Sequence, residues 1–365
     1  MKMSGRRLLD NLDYPTIVTA IVLVSVGIFS IASATMEQPA ISSLWRVQIV
    51  WFLLALLAAA VVIAIDYRLW AEIAYALHGM VIVMLIAVLV FGYAVGGNRS
   101  WLVFGPLRLQ PSELAKWTTC LVLTVYLARR VRGSMGLRQL LEMSALAGLP
   151  TLLIALQPDM GTALIFLPIF LSSLLIGGVR WKVIVGILLV GLLLTPVAWI
   201  LLEDYQKERI LTVLEPGRDP SGYGYQVRQS LIAIGSGGLI GKGPFQGTQS
   251  QLNFLPAQHT DFILAVFAEE LGFIGAVIVL GLFYYLCFRG IVAARSSQDR
   301  LGTYLCLLVV AWIAGQMAVN VGMVLGRLPT IGVPLPFISY GGSALVAAMC
   351  GVALVVNVRS RRFVN

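Results

Sequence analysis

Charge is scarce in this sequence. Only 12% of its 365 residues are Asp, Glu, Lys or Arg, 59% are hydrophobic, and mean hydropathy is +0.89. Soluble domains carry roughly 25% charged residues, so a soluble globular chain is excluded. Cysteine and histidine are scarcer still, at four and two residues. Cys120, Cys287, Cys306 and Cys350 lie far apart in apolar stretches with no C-x-x-C pair. They read as small core residues, not as a disulfide framework or thiolate metal centre. His78 and His259 are too few, given the spacing of the carboxylates, to indicate a metal site. The net charge is +9, but the basic residues flank apolar runs and form no aromatic-interleaved face. Nucleic acid is therefore not an expected partner.

Long apolar runs dominate what is present. Ten can be read, at 15–34, 44–65, 73–95, 112–128, 141–156, 161–178, 182–202, 262–288, 303–325 and 340–358. Several sit near the ~17-residue lower limit for a bilayer-spanning helix. The fold class expected is an all-α polytopic membrane protein with about ten spans in one domain, 1–365. An even count puts both termini on one side. With the N terminus inside, the inner segments hold 16 of the 26 Lys and Arg residues, against Arg46, Arg99, Arg108 and Arg327 in the short outer loops. Five more lie in one long outer loop and Lys116 falls inside a span. Both termini are expected in the cytoplasm. The first run ends in ASA (Ala32–Ala34), similar to a signal-cleavage site, but its length favours a retained helix.

Polar chemistry is concentrated on the outer side. Residues 203–261, between spans seven and eight, form a 59-residue extracytoplasmic loop, longer than a connector needs. Tyr205, Tyr223, Tyr225, Phe245 and Phe254 argue that it is structured, and YQVRQSLIAIG (225–235) predicts an amphipathic helix on the membrane surface. The glycine run GSGGLIGKG (235–243) fails as a phosphate-binding loop. Ser236 holds the first glycine place of a Walker motif and Gly243 follows Lys242. It reads as a flexible turn, or as an amide nest with Lys242 facing a phosphate. In LQPSELAKW (109–117), Glu113 and Lys116 lie three apart on one helix face. They form either a salt pair that lets both enter the membrane edge or a device that tunes a nearby carboxylate. Asp159 in QPDMG reads as a helix cap.

FLPAQHTDFILAVFAEELG (254–272) places Asp261, Glu269 and Glu270 at the mouth of span eight. Thr260 is expected to cap the helix, with Asp261 in its first turn and 261–270 as an oblique approach to the bilayer. Glu269 and Glu270 then need polar partners, Arg327 or loop amides.

Four stretches resemble the SEDS family (shape, elongation, division and sporulation): NRSWLVFGPLRLQPSELAK (98–116), QPDMGTA (157–163), 209–275, and NVGMVLGRLPTIGVPLPFISYGGS (320–343). The resemblance runs nearly end to end, and GTQSQL…FLP and GVPLPF are similar to the rod-shape (RodA) branch rather than the division (FtsW) branch. One departure is visible: Ala257 stands where the family usually has Glu in LPE-x-HTDF. The resemblance implies a peptidoglycan glycosyltransferase for cell elongation. It would polymerise lipid II at the outer face of the bacterial cytoplasmic membrane, alongside a class B penicillin-binding protein. The family's catalytic Asp maps onto Asp261, with Glu113, Lys116, His259 and Thr260 in support.

The donor is an α-linked polyprenyl diphosphate sugar and the product linkage is β-1,4. A single inverting displacement suffices, with one carboxylate taking the acceptor proton. Candidates for holding the diphosphate or sugar are Arg99, Arg209, Arg228, Lys242, Gln249 and Lys116, or a divalent ion (Mg or Mn). The competing expectations are a lipid II flippase, which needs a polar path through the midplane, and a non-catalytic scaffold of the wall-synthesis complex.

Overall fold

A computed structural model describes residues 11–95, 98–104, 107–131, 135–193, 195–215 and 222–362. Lys2, Arg6, Arg7, Arg132 and Arg218, counted in the charge balance, fall outside these residues. The helices are α1 (Tyr14–Thr35), α2 (Leu44–Ala64), α3 (Tyr67–Glu72), α4 (Ala74–Phe91), α5 (Pro111–Arg130), α6 (Leu137–Ala155), α7 (Met160–Ile176), α8 (Trp181–Leu193), α9 (Thr195–Leu201), α10 (Asp204–Leu214), α11 (Tyr223–Gly237), α12 (Thr248–Gln251), α13 (Ile263–Ser296), α14 (Arg300–Val324) and α15 (Gly342–Ser360). Seven of them (α1, α2, α4, α6, α13, α14, α15) are long and apolar enough to cross a membrane. The other expected spans are α5, whose termini carry charge, the shorter α7, and α8 with α9. The chain is an all-α multi-pass membrane protein.

Local chemistry sets the helix ends. Pro111 opens α5, where its missing N–H costs nothing. Asp66, Asp159 and Asp299 cap α3, α7 and α14 by accepting from Arg68, Thr162 and Gly302 N–H groups at 3.0, 3.1 and 2.7 Å. The core is a packed centre of α5, α14 and α15, in which most α5 and α15 side chains are buried. Asp13, just before α1, pairs with Arg289 on α13 and Arg359 on α15. The start of α1 and the end of α15 therefore share one end of the bundle, as an even number of crossings requires.

The apolar run 73–95 overreaches: α4 stops at Phe91, and the following segment turns polar within a few residues. Beyond it lies a small antiparallel sheet rather than a loop, with β1 (Tyr93–Val95), β2 (Asn98–Phe104) and β3 (Leu107–Leu109) in that order. Tyr93 pairs with Trp101, and Leu102 with Leu109.

Helix α13 breaks at Gly272, whose φ is 69° and ψ −170°. The break frees the amides of Phe273 and Ile274, which donate to the carbonyls of Gly238 and Leu239 at 2.9 and 3.1 Å. Backbone approaches backbone so closely here that a Cβ on Gly241 would lie 2.1 Å from the Glu270 carbonyl oxygen. Much of the glycine run is therefore a fitted plug for the kink, with φ of +56°, +83° and +107° at Gly238, Gly241 and Gly243. The oblique segment expected at 261–270 exists as the buried stretch Ile263–Glu270 on one side of this break.

Candidate active site

At the end of the bundle opposite Asp13, polar groups from six segments meet. Helix α13 begins at Ile263, not at Asp261, and Phe262 precedes it without a side-chain cap. Thr260 is not the cap expected from its type. Its hydroxyl donates to the Ala257 carbonyl at 3.2 Å, and that carbonyl also accepts the Thr260 and Asp261 N–H groups, both at 3.1 Å. The turn closes on the backbone of 257, so Ser/Thr capping has no free helix end to serve. Ala257 has φ +50°, and it supplies through its carbonyl the contact that organises the turn.

Asp261 is half-buried within this turn. Lost hydration pushes its pKa from 3.8 up to about 6; the charge of Arg209 opposes the rise and that of Asp159 adds to it. The first turn of a helix would have lowered it, so the change in local structure reverses the electrostatics expected from sequence. His259, whose ring lies 5.9 Å from that of Tyr340, is pushed down by burial.

Arg209, on α10, donates to the Tyr223 hydroxyl at 2.9 Å and lies over its ring. It also lines an apolar cavity of about 790 Å³ between α6, α7 and α10, walled by Ala147, Gly148, Leu152, Ala163 and Phe170 and topped by Ile331. Gly332, the next residue, sits beside Asp261: a Cβ there would be 3.6 Å from Oδ2. The carboxylate thus lies beside the segment that borders this apolar cavity, and Arg209 is part of the cavity lining.

Asp159 is a cap, as its position suggested, and more. Its second oxygen accepts from Gln110 Nε2 at 3.1 Å, and burial raises its pKa, with Glu113 adding to the rise and Lys116 opposing it. Glu113 and Lys116 form an ion pair at 2.8 Å with exposures of 2% and 1%. Lys116 also donates to Gln316 Oε1 at 2.9 Å and faces the Trp312 ring at 5.5 Å. Asp261, Arg209, Asp159, Glu113 and Lys116 are in this way electrostatic neighbours in series.

The remaining candidates lie elsewhere. Lys242 pairs with Glu269 at 2.5 Å, and Glu269 also accepts from the Thr248 hydroxyl and the Gln249 N–H at 3.0 and 3.1 Å. Lys242 and Gln249 therefore hold loop 238–252 onto α13 instead of standing beside Asp261. Glu269 finds the loop amide that was expected, with Lys242 in place of Arg327, which is exposed. Glu270 accepts from Ser33 on α1. Arg99 is exposed on β2 and Arg228 exposed on α11. Sequence reasoning missed Asn320 and Ser339, whose side chains reach the Asp261 turn. A buried Asn in an apolar helix was the available signal.

The described residues hold no group of three or more His, Cys, Asp or Glu able to bind a metal. Asp159 and Asp261 match only the one or two carboxylates Mg²⁺ takes when substrate phosphates complete its shell.

Residues 13–363 match the FtsW, RodA and SpoVE family, described as cell cycle proteins. The chain belongs to this family. Among its relatives, peptidoglycan glycosyltransferase MrdB of Escherichia coli K12 is 42% identical over 300 residues, 81% of this chain and 79% of that one. The probable peptidoglycan glycosyltransferase FtsW of Aliivibrio salmonicida is 35% identical over 348 residues, 93% and 85% of the two chains. A solved structure, from work on coordination of polymerisation and crosslinking by a peptidoglycan synthase complex, superposes with a TM-score of 0.80 at 32% identity, covering 97% of this chain and 99% of that one. The rod shape determining protein RodA of Thermus thermophilus gives 0.72 at 30% identity, covering 97% and 98%.

Proposed function

We propose that this FtsW/RodA-family protein is a peptidoglycan glycosyltransferase that polymerises lipid II into β-1,4 glycan strands, with Asp261 as general base. The observation that carries the reading is the placement of one half-buried carboxylate beside an apolar cavity of about 790 Å³ with Arg209 on its rim. An apolar recess suits a polyprenyl chain, the guanidinium suits its diphosphate, and the carboxylate suits the reacting hydroxyl.

The acceptor 4-hydroxyl oxygen attacks C1 of the donor sugar as the C1–O bond to the diphosphate breaks. The electron pair leaves with the diphosphate, the hydroxyl proton passes to Asp261, and the configuration at C1 inverts. A base at a pKa of about 6 is ionised at neutral pH yet more basic than an ordinary Asp. Arg209 plays two parts: it keeps Asp261 from rising further, and it offers charge to the leaving group. Asp159 would be the carboxylate to hold a Mg²⁺ or Mn²⁺ ion carried by the diphosphate, and such an ion would supply charge to the leaving oxygens. The steps derived for this chain's residues do not depend on it.

The site faces outward from the cytoplasmic membrane in this reading, because the basic inner segments fix the opposite end of the bundle inside. The partner is a class B penicillin-binding protein that crosslinks the strands, and the domain is a single SEDS-type unit whose extracytoplasmic loop is 203–261. The purified complex, given lipid II, is expected to make glycan strands, and Asp261→Asn to make none above background. Translocation of lipid II across vesicles with no polymer formed would instead mark a flippase.

A further inference from the structure

The main chain of His259, Thr260 and Asp261 is gripped at three successive carbonyls. The Tyr340 N–H donates to the His259 carbonyl at 2.9 Å, the Ser339 hydroxyl to that of Thr260 at 2.6 Å, and the Asn320 amide to that of Asp261 at 2.9 Å. Asn320 is fully buried on α14, and the same Nδ2 donates to the Val333 carbonyl at 2.8 Å. Ser339 Oγ accepts in turn from the Leu335 N–H at 2.8 Å. The two side chains thus tie the Asp261 turn to the 333–340 loop at two points.

That loop is under strain. Phe337 is buried with φ +67°, a left-handed conformation that a bulky L residue adopts only at a cost. Helix α1 presses against it, since a Cβ on Gly27 would lie 2.6 Å from the Ile338 Cα and carbonyl oxygen. Neither Asn320 nor Ser339 lines the apolar cavity. Their donors are spent on backbone carbonyls, not offered to a ligand.

We propose that Asn320 and Ser339 are positioning residues for proton transfer, fixing the Asp261 main chain so that its carboxylate meets the acceptor hydroxyl. The proposal rests on Asp261 being the base. A carboxylate on a turn, outside any helix, has no regular structure to fix its direction, and a displacement of about 1 Å can cost about 10²-fold in rate.

The test measures lipid II polymerisation by the complex with its penicillin-binding protein, from about pH 5 to 9, together with thermal unfolding of each variant. Ser339→Ala and Asn320→Ala are expected to lose about tenfold or more in kcat, with KM for lipid II changed by less than about twofold. The acid limb of the profile is expected to move to lower pH as the loosened turn readmits water to Asp261. Ser339→Thr, which keeps the hydroxyl, is expected to restore most of the rate. If an Ala variant does not fold, Ser339→Cys replaces it and must show the same shift of the acid limb.

Wild-type kcat in the Ala variants overturns the proposal. So does a loss shared by Ser339→Thr with the acid limb unmoved, which would make Ser339 merely structural. If Asp261→Asn is inactive while the Ala variants keep full rate, only the positioning role falls. If Asp261→Asn polymerises normally, the base assignment itself falls.

Discussion

Replacing Lys116 by Met should destabilise the protein far more than replacing Lys116 and Glu113 together. Lys116 is 1% exposed and Glu113 2%, and their 2.8 Å ion pair is the contact that neutralises each charge. Removing the ammonium leaves a buried carboxylate uncompensated and strips Gln316 of its charged donor. Breaking a buried pair in this way costs about 3–5 kcal/mol, whereas exchanging both partners for neutral groups of similar volume is often nearly neutral. At about 2 °C per kcal/mol for a chain of this size, Lys116→Met should lower the unfolding midpoint by roughly 6–10 °C. The Glu113→Gln/Lys116→Met double variant should recover most of that. The assay is thermal unfolding in detergent at neutral pH, followed by tryptophan fluorescence. Equal midpoints for the single and double variants would refute the reasoning, because the cost would then come from packing rather than the stranded charge.

Polymerisation should fall on the acid side with a midpoint near pH 6, because Asp261 must be ionised and its pKa is raised to about 6. Arg209→Gln should move that midpoint upward, measured as initial rate against pH, since the Arg209 charge is what lowers it. The sign for stability is opposite: the folded value lies above the ordinary 3.8, so ionising Asp261 costs the folded state as pH rises through about 6. Gly241→Ala should destabilise by more than about 2 kcal/mol, given φ +83° and a Cβ 2.1 Å from the Glu270 carbonyl oxygen, and thermal unfolding reads this directly. Gly148→Trp has room for its Cβ, with nothing within 4 Å, and an indole directed into the cavity should raise KM for lipid II, with thermal unfolding checking that the fold is kept.

The spans were legible because bilayer burial leaves a long apolar signature that no nearby residue can mask. Their order and approximate limits follow from that signature, although seven helices among the described residues, and not ten, are long and apolar enough to cross. What was illegible depends on partners far away in sequence. Thr260 has the right type for a cap, but the carbonyl of Ala257 takes the amides a cap would need to see free. Lys242 looked like a phosphate ligand until folding brought Glu269 to it, 27 residues on. The strands at 93–109 are three to seven residues long and separated by Gly and Pro, so their alternation is too brief to distinguish from a loop. Asn320 and Ser339 gave the weakest signals, because a polar residue in an apolar run announces a role without naming its partner. Asp261 itself was found through its motif, while its raised pKa emerged only with the turn that buries it.

In the proposed mechanism Asp261 takes the acceptor proton. The most direct test of this step is the rate of glycan strand formation from lipid II by the Asp261→Asn complex, compared with wild type at about pH 7.5 and with matched folding. Loss of a general base predicts a fall of about 10²–10⁴-fold. A rate within a few-fold of wild type would contradict the account.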